Sequence, residues 1–380
     1  MAELYINFDE YIRQGEPKRR EAAYAWSTAI GLQAVDGLKT SEYLQETARK
    51  HIEGDITIDE VRQLIKTYYE SKSVRTTDDD DMEEADRVSA NIVKVLSHPT
   101  FAFNSNGYIS VHRRIFEGVF KHAGQLRTYD ITKREWVLRG DTVNYLNWED
   151  LRRAIDYDLN QEKDFDHTKL SPDEFVRHLC QFVSGLWQIH PFREGNTRTT
   201  AVFTIQYLRS LGFNVDNDLF AKHSRYFRNA LVRANYSNYQ QKILRNPSFL
   251  EMFFRNLLLG ENNELRNRYM IVNPPKEWKV EQDKYPASTP QVPHKLPTSL
   301  DEINDNTTRV MQAIGRKQLS IKEILSALGL KDRKHFIEQF LNPAITEGYV
   351  RLLYPDKPRH PHQKYLLTVK GMMHYNNSER

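Results

Sequence analysis

One cysteine in 380 residues is the first constraint. Cys180 cannot close an internal disulfide, and its place in the apolar stretch "EFVRHLCQFVSGLWQIH" marks it as a core thiol suited to a reducing compartment. No apolar run approaches the length needed to cross a bilayer, and "MAELYINFDEYIRQGEPKRR" lacks the apolar core of a signal peptide. A cytoplasmic protein with no membrane partner is therefore expected. Charge of one sign is equally scarce: a net +3 over the whole chain does not by itself imply nucleic acid or a membrane surface. Tandem repeats and low-complexity tracts are missing. The four aspartates Asp78 to Asp81 lack the glycine and the spaced ligands of a calcium loop, and read instead as solvated acids at a helix start. "GLKT" at Gly37 lacks the spacing of a phosphate loop.

What is present is enough apolar sequence, 39%, for two or three domains with their own cores. "REAAYAWSTAIGLQAVDG", "SEYLQETARKHIEG" and "TIDEVRQLIKTYYE" have helical apolar spacing and capping residues, and predict a small helical unit over residues 1–75. Residues 76–270 continue the helical pattern with one exception. "YDITKREWVLRGDTVNYLN" alternates around Gly140-Asp141 and predicts a β-hairpin. Six prolines between Asn273 and Leu300 mark residues 271–300 as a linker. Beyond it, three helical segments and the strand-like "VRLLY" and "KYLLTV" predict a winged helix-turn-helix domain over 301–380. From Asp301 onward 13 basic residues face 9 acidic ones, a bias that permits DNA contact without requiring it. Dimerisation or protein contact is the other use of such a module. The fold expected is mainly α, with one small hairpin and this C-terminal domain.

The densest chemistry lies in "HPFREGNTRT", His190 to Thr199, between two apolar helical runs. Before it, Phe175, Leu179, Phe182, Leu186 and Ile189 share one helical face. After it, "TTAVFTIQYLRSL" starts a second helix. Gly195, Asn196 and Thr197 thus offer backbone N–H groups at a helix start, where unpaired donors and the positive dipole end favour phosphate, and Arg198 adds a charged fork. Glu194 beside such an anion nest makes sense with a divalent cation between carboxylate and phosphate, for which Mg2+ is suited. His190 titrates near neutrality and can take a proton from an attacking hydroxyl. Together these parts match phosphoryl or nucleotidyl transfer. Taken singly, each has a purely structural use: a helix cap, an i,i+4 ion pair, a turn.

The stretch resembles the active-site motif of the Fic family, HxFx(D/E)GN(G)RxxR. His190, Phe192, Glu194, Gly195, Asn196 and Arg198 match; Thr197 stands for the usual Gly and Ala201 for the second Arg. Upstream, "HRRIFEGVFKHAGQLRTYDI" looks like the family's helix and approach to its flap, so the resemblance runs over roughly residues 80 to 260. It implies transfer of AMP from ATP, with Mg2+, to a Ser, Thr or Tyr hydroxyl of a target protein or of the chain itself. Carried over by position, His190 is the base, Glu194 holds magnesium, and Phe192 buries its ring to fix the loop. Gly195, Asn196, Thr197 and Arg198 meet the phosphates, Arg198 also serving catalysis. "YFRNALVRANY" resembles the helix lining the adenine pocket, which places Arg228, Leu231 and Asn235 near the base. The expected hairpin coincides with the family's flap, whose main chain holds the target segment at Asp141, Thr142, Val143 and Asn144.

Residues 1–75 resemble the family's inhibitory segment, whose motif is (S/T)xxxE(G/N). "LQAVDG" aligns best, with Leu32 for Ser or Thr, Asp36 for Glu, and Gly37 retained. The resemblance pairs that acid with the motif's second Arg, here Ala201, so inhibition is expected to be weak or different in kind. The missing Arg also leaves another nucleotide donor, or removal of AMP, as a second reading. A regulator that senses nucleotide and binds DNA is a third, from a different class.

Overall fold

Side-chain caps decide where the first helices begin. Ser41, Thr57 and Thr76 are extended residues whose hydroxyls accept the N–H of Leu44, Glu60 and Asp79, which satisfies one of the donors a helix start leaves open. The computed structural model describes residues 8–74, 76–98, 100–215, 218–274 and 303–378. Five helices come first: α1 (Asp9–Gln14), α2 (Pro17–Gly31), α3 (Glu42–Glu53), α4 (Ile58–Glu70) and α5 (Thr77–Leu96). A 3-10 turn, Leu32–Asp36, follows α2. The aspartates at the start of α5 occupy its first turn, and Asp79 both closes the capping box on Thr76 and pairs with Lys72 at 2.6 Å.

Next come α6 (Ser105–Ile115), α7 (Leu151–Asp164), α8 (Pro172–Ile189), α9 (Asn196–Ser210), α10 (Leu219–Lys222), α11 (Ser224–Asn235) and α12 (Ser248–Leu259). The apolar face read from α8 is buried in full, from Phe175 to Ile189. One continuous apolar cluster runs from Phe8 through Trp26, Val61 and Val93 to Phe203 and Phe253. The N-terminal helices therefore share the core of the helices that follow and have no core of their own. A carboxylate sits in the seam: Asp86 on α5 is fully buried and accepts the Ser41 N–H at 2.9 Å, the Ser41 hydroxyl at 2.5 Å and the Tyr69 hydroxyl at 2.8 Å.

The hairpin expected around Gly140 is not a strand pair. The chain reverses there, but Trp136–Leu138 is a 3-10 turn. The N–H groups of Leu138, Arg139 and Gly140 bond locally to Glu135 and Trp136 oxygens, and across the reversal the Glu135 N–H meets the Asp141 carbonyl at 2.9 Å and the Lys133 N–H the Thr142 hydroxyl at 3.3 Å. Sequence alternation is real, but Glu135, Val137 and Leu138 turn inward to be buried, and local 3-10 bonding removes the donors that a ladder needs.

The proline-rich stretch expected as a linker lies, from residue 275 on, outside the described residues. Beyond it, α13 (Asp305–Ile314), α14 (Ile321–Leu328), α15 (Arg333–Phe336) and α16 (Asn342–Thr346) precede antiparallel strands β1 (Val350–Leu352) and β2 (Tyr365–Leu367). Leu319 bridges to Tyr365. Between α15 and α16 the helix widens into a π-helical stretch, Ile337–Leu341, just before Pro343, whose ring cannot follow an α-turn without clashing. A second apolar cluster holds these elements together. This is the order of helices and hairpin expected of a winged unit, and His360 and His362 lie in the loop between the strands.

A final helix not foreseen from sequence, α17 (Val369–Ser378), packs back on the larger unit. Asn376 donates to the Thr168 carbonyl at 2.6 Å and the Lys370 N–H to the Leu211 carbonyl at 3.3 Å. Beside that contact Gly212 and Gly348, both at positive φ, meet backbone to backbone. A Cβ on Gly348 would lie 2.2 Å from the Gly212 oxygen, and one on Gly212 2.4 Å from the Gly348 oxygen.

Asp86→Ala leaves three donors at the seam without their acceptor. It is expected to cost about 3 kcal/mol of stability, read as the urea midpoint at neutral pH. A loss under about 0.5 kcal/mol would mean that water replaces the carboxylate.

Candidate active site

The "HPFREGN" loop joins α8 to α9, and its shape follows from three local facts. His190 ends α8 in the left-handed region, φ 50 and ψ 57. Gly195 starts α9 at φ 74, and a Cβ there would stand 2.1 Å from the buried Phe116 ring, so only glycine fits. Between them the Asn196 side chain closes the loop on itself, its Oδ1 accepting the Phe192 N–H at 2.9 Å and its amide donating to the Phe192 carbonyl at 2.7 Å. The Asn196 amide, expected on phosphate, is thus committed to the loop.

Phe192 is buried and stacks on His112 at 3.8 Å and 10°. His112 Nδ1 accepts the Gly124 N–H at 2.8 Å, which puts the ring proton on Nε2, where it donates to the Glu194 carbonyl at 3.1 Å. Burial pushes His112 down to about 3, against the hydrogen bond to Glu194, so the ring is neutral. His190 is also buried, between Tyr145 at 4.2 Å and Trp187 at 5.1 Å. Burial, with the Lys133 charge second, holds it well below the usual histidine range. Its Nδ1 has no hydrogen-bond partner among the described residues. A neutral imidazole with an unused nitrogen is the form that accepts a proton.

Glu194 points outward, 59% exposed, and faces the Lys133 ammonium at 3.2 Å. No side chain caps the start of α9, so its first-turn N–H groups offer the anion site the sequence suggested. The Thr197 hydroxyl is occupied by the Trp187 indole at 2.9 Å. An exposed carboxylate beside an uncapped helix start suits Mg2+, which keeps most of its waters and needs one or two carboxylates.

Arg198 departs from expectation. Its side chain is 2% exposed and faces the N-terminal helices. Nη1 donates to Gln33 Oε1 at 2.9 Å, Nη2 meets Glu84 Oε1 at 2.8 Å, and Nε lies 2.9 Å from Asp36 Oδ2. The guanidinium also covers the Phe116 ring at 4.8 Å. Asp36 therefore pairs with the first Arg of the motif, where the resemblance pointed to position 201. Ala201 is wholly buried and offers no charge. Gly37 supplies the left-handed turn, φ 79, that ends the Leu32–Asp36 segment.

On α11, Leu231 is fully buried and the Asn235 amide donates to the Ser184 and Leu231 carbonyls at 2.9 and 3.0 Å. Arg228 reaches the buried Glu135 carboxylate at 3.0 Å. In the reversing segment, Asp141 accepts the Tyr236 hydroxyl at 2.6 Å, Val143 is buried, the Thr142 hydroxyl donates to the Val143 carbonyl at 3.1 Å, and Asn144 offers its carbonyl to Gln188 at 3.0 Å. Arg127 was missed by sequence reasoning. Its solvent-free guanidinium donates to the carbonyls of His190 at 2.9 Å, Tyr129 at 2.7 Å, Ile189 at 3.4 Å and Leu146. His112, Gln33, Glu84 and Glu135 were missed too, although Arg127 and His112 lie in "HRRIFEGVFKHAGQLRTYDI", Gln33 in "LQAVDG" and Glu135 in "YDITKREWVLRGDTVNYLN".

The His112 ring gives a pH test. The unfolded ring titrates near 6.5 and the folded one near 3, so between those values the unfolded chain binds more protons. This share of stability is whole above about 6.5 and is lost as pH falls through that window. His112→Phe keeps the stack but cannot titrate. Its stability deficit relative to wild type is expected to narrow as pH falls from about 7 to about 4.5; a deficit constant with pH would count against a neutral buried ring.

Comparison with known proteins agrees with this loop. Residues 102–208 match the model of the Fic/DOC family, and residues 305–368 match that of the filamentation induced by cAMP protein Fic-like, C-terminal domain. Over 130 residues the chain is 30% identical to the protein adenylyltransferase VbhT of Bartonella schoenbuchensis, covering 34% of this chain and 24% of that one. Over 133 residues it is 28% identical to the probable protein adenylyltransferase y4lH of Sinorhizobium fredii, 33% of this chain and 62% of that one. The match thus spans less than two thirds of either relative. A solved Fic family protein from Desulfovibrio desulfuricans G20 aligns over 94% of this chain and 90% of its own, at 18% identity and a TM-score of 0.38. Residues 102–208 are thus similar to the Fic/DOC domain and residues 305–368 to the Fic-like C-terminal domain.

Proposed function

We propose that the chain is a protein adenylyltransferase that moves AMP from ATP to a Ser, Thr or Tyr hydroxyl of a target protein or of itself. The observation that carries this reading is the neutral, buried His190 set beside an uncapped helix start and an outward carboxylate in one loop. The target hydroxyl oxygen attacks the α-phosphorus of ATP, the bond to the β-phosphate oxygen breaks, and diphosphate leaves. His190 takes the hydroxyl proton as the new ester forms. The N–H groups at the start of α9 bind phosphate oxygens, and Gly195 lets them approach. Glu194 holds the Mg2+ ion, which when bound supplies charge for the phosphates. The reversing segment at 141–144 guides the target chain by main-chain pairing. Incubation with Mg2+ and each of the four nucleoside triphosphates, read by intact mass, is expected to add AMP from ATP in wild type and nothing in His190→Ala. A wild-type chain that labels neither itself nor any protein of a cell lysate overturns the reading. A gain from another triphosphate would favour a different donor, which the missing Arg at Ala201 permits.

The N-terminal helices support a second part of the proposal. Asp36, Gln33 and Glu84 hold the one motif arginine that could meet phosphate, so these helices restrain the site through Arg198. Nucleotide has to win the guanidinium from two carboxylates. Asp36→Ala with Glu84→Ala leaves a buried charge unpaired, at a cost of about 3 kcal/mol without ligand. That double variant is expected to bind ATP more tightly and to gain more in Tm from it than wild type does. Equal affinity would reduce residues 8–74 to a stabilising cap.

A DNA-binding regulator remains a separate reading on one observation. Lys331, Arg333, Lys334 and His335 are exposed around the start of α15, the third helix of the C-terminal unit and the position that enters a groove in helix-turn-helix proteins.

A further inference from the structure

Far from the "HPFREGN" loop, three donor side chains converge from three elements. Glu162 ends α7, His178 projects from α8, and His167 opens the 3-10 turn His167–Lys169. His167 Nε2 lies 2.8 Å from one Glu162 oxygen and His178 Nε2 2.6 Å from the other. The three ligating atoms fall within 4.8 Å of one another. Glu162 and His167 are buried, and His178 is 22% exposed at the edge. Nothing in the proposed transfer uses this group.

We propose that Glu162, His167 and His178 form a binding site for a divalent transition ion, with Zn2+ as the fitting choice. Two imidazoles and one carboxylate are a donor set that Zn2+ takes in three-ligand sites. Around Zn2+ such atoms stand roughly 3.3 Å apart, given bonds of about 2.0–2.1 Å. The two carboxylate–imidazole contacts have to open by roughly half an ångström, and the two imidazole nitrogens, which meet different Glu162 oxygens and lie within 4.8 Å of each other, have to converge on one ion; the last turn of α7 and a short 3-10 turn permit that adjustment. Tyr207 on α9 supports the arrangement from outside: its hydroxyl donates to Glu162 and lies 3.2 Å from His167 Nε2, the kind of hydrogen bond that orients a ligating carboxylate. Phe165 stacks on His178 at 3.9 Å and Phe175 meets His167 edge-on at 5.9 Å, which holds both rings and keeps the inner side dry. The exposed edge at His178 leaves a way in and a fourth position for water.

The ion's place in the fold gives it a structural use. It ties α7, the 3-10 turn and α8 together, and the residue after His167 is Thr168, whose carbonyl accepts the Asn376 amide of α17. Occupancy therefore braces the surface on which the C-terminal unit docks.

The test uses the full chain, freed of metal by chelator dialysis and carrying His360→Ala with His362→Ala so that the pair in the strand loop does not contribute. Re-dialysed with Zn2+, it is expected to retain about one equivalent by elemental analysis and to gain in Tm. Adding His178→Ala or Glu162→Gln is expected to abolish both effects, with the fold checked by circular dichroism. X-ray absorption at the zinc edge of the unaltered site is expected to show two imidazole nitrogens and at least one oxygen, and does not depend on those variants folding. Retention below about a tenth of an equivalent, retention undiminished in His178→Ala, or a shell without imidazole overturns the site.

Discussion

The geometry of the site depends on where one buried guanidinium finds its acceptors. A helix leaves its last carbonyls without partners, and α8 ends inside the protein at a left-handed histidine, where water cannot supply donors. Arg127 supplies them to Ile189 and His190, and the same planar fork reaches Tyr129 and Leu146, the two ends of the reversing segment. One charge thus ends the helix at His190 and ties it to both ends of the reversing segment. A lysine, with a single point of charge, could not hold four carbonyls in that plane.

A second buried cation gives the site its connection to the rest of the chain. Arg198 is kept in the interior by Asp36 and Glu84, which come from parts of the sequence more than a hundred residues away. An unpaired charge there would be expensive, so whatever binds the loop has to offer equal compensation. In the proposed function, the N-terminal helices and an anionic ligand are alternatives for the same guanidinium. These helices share one apolar core with the helices that carry the loop, so they form part of the same packed unit.

Much of this could be read in the chain beforehand, and the limits of reading are physical. Local signals held: Ser41, Thr57 and Thr76 cap helices, the α8 face is buried as spaced, and Gly195 sits where only glycine fits. Signals that depend on distant partners did not. "LQAVDG" pointed to Ala201 because a motif aligns one stretch with another, whereas the pairing is settled by which residues of α9 face the N-terminal helices. Arg198 does so, while Ala201, three residues on, packs into the core. The alternation around Gly140 predicted strands, yet Glu135 leaves the pattern to meet Arg228, a contact between residues 93 apart. Arg127 lies in the stretch likened to the approach to the flap, but nothing local marks it as the donor to four carbonyls. The helix α17 escaped because "VKGMMHYNNS" has little amphipathic contrast, and its place is set by the surface it covers.

The facing glycines at positions 212 and 348 leave no clearance between the two units at that point. A seam lined with side chains can slip by changing rotamers, one contact at a time. Two bare backbones in van der Waals contact have no rotamers to change. A Cβ at either position would run into the opposite carbonyl oxygen, so the approach of the two units at this point depends on glycine on both sides.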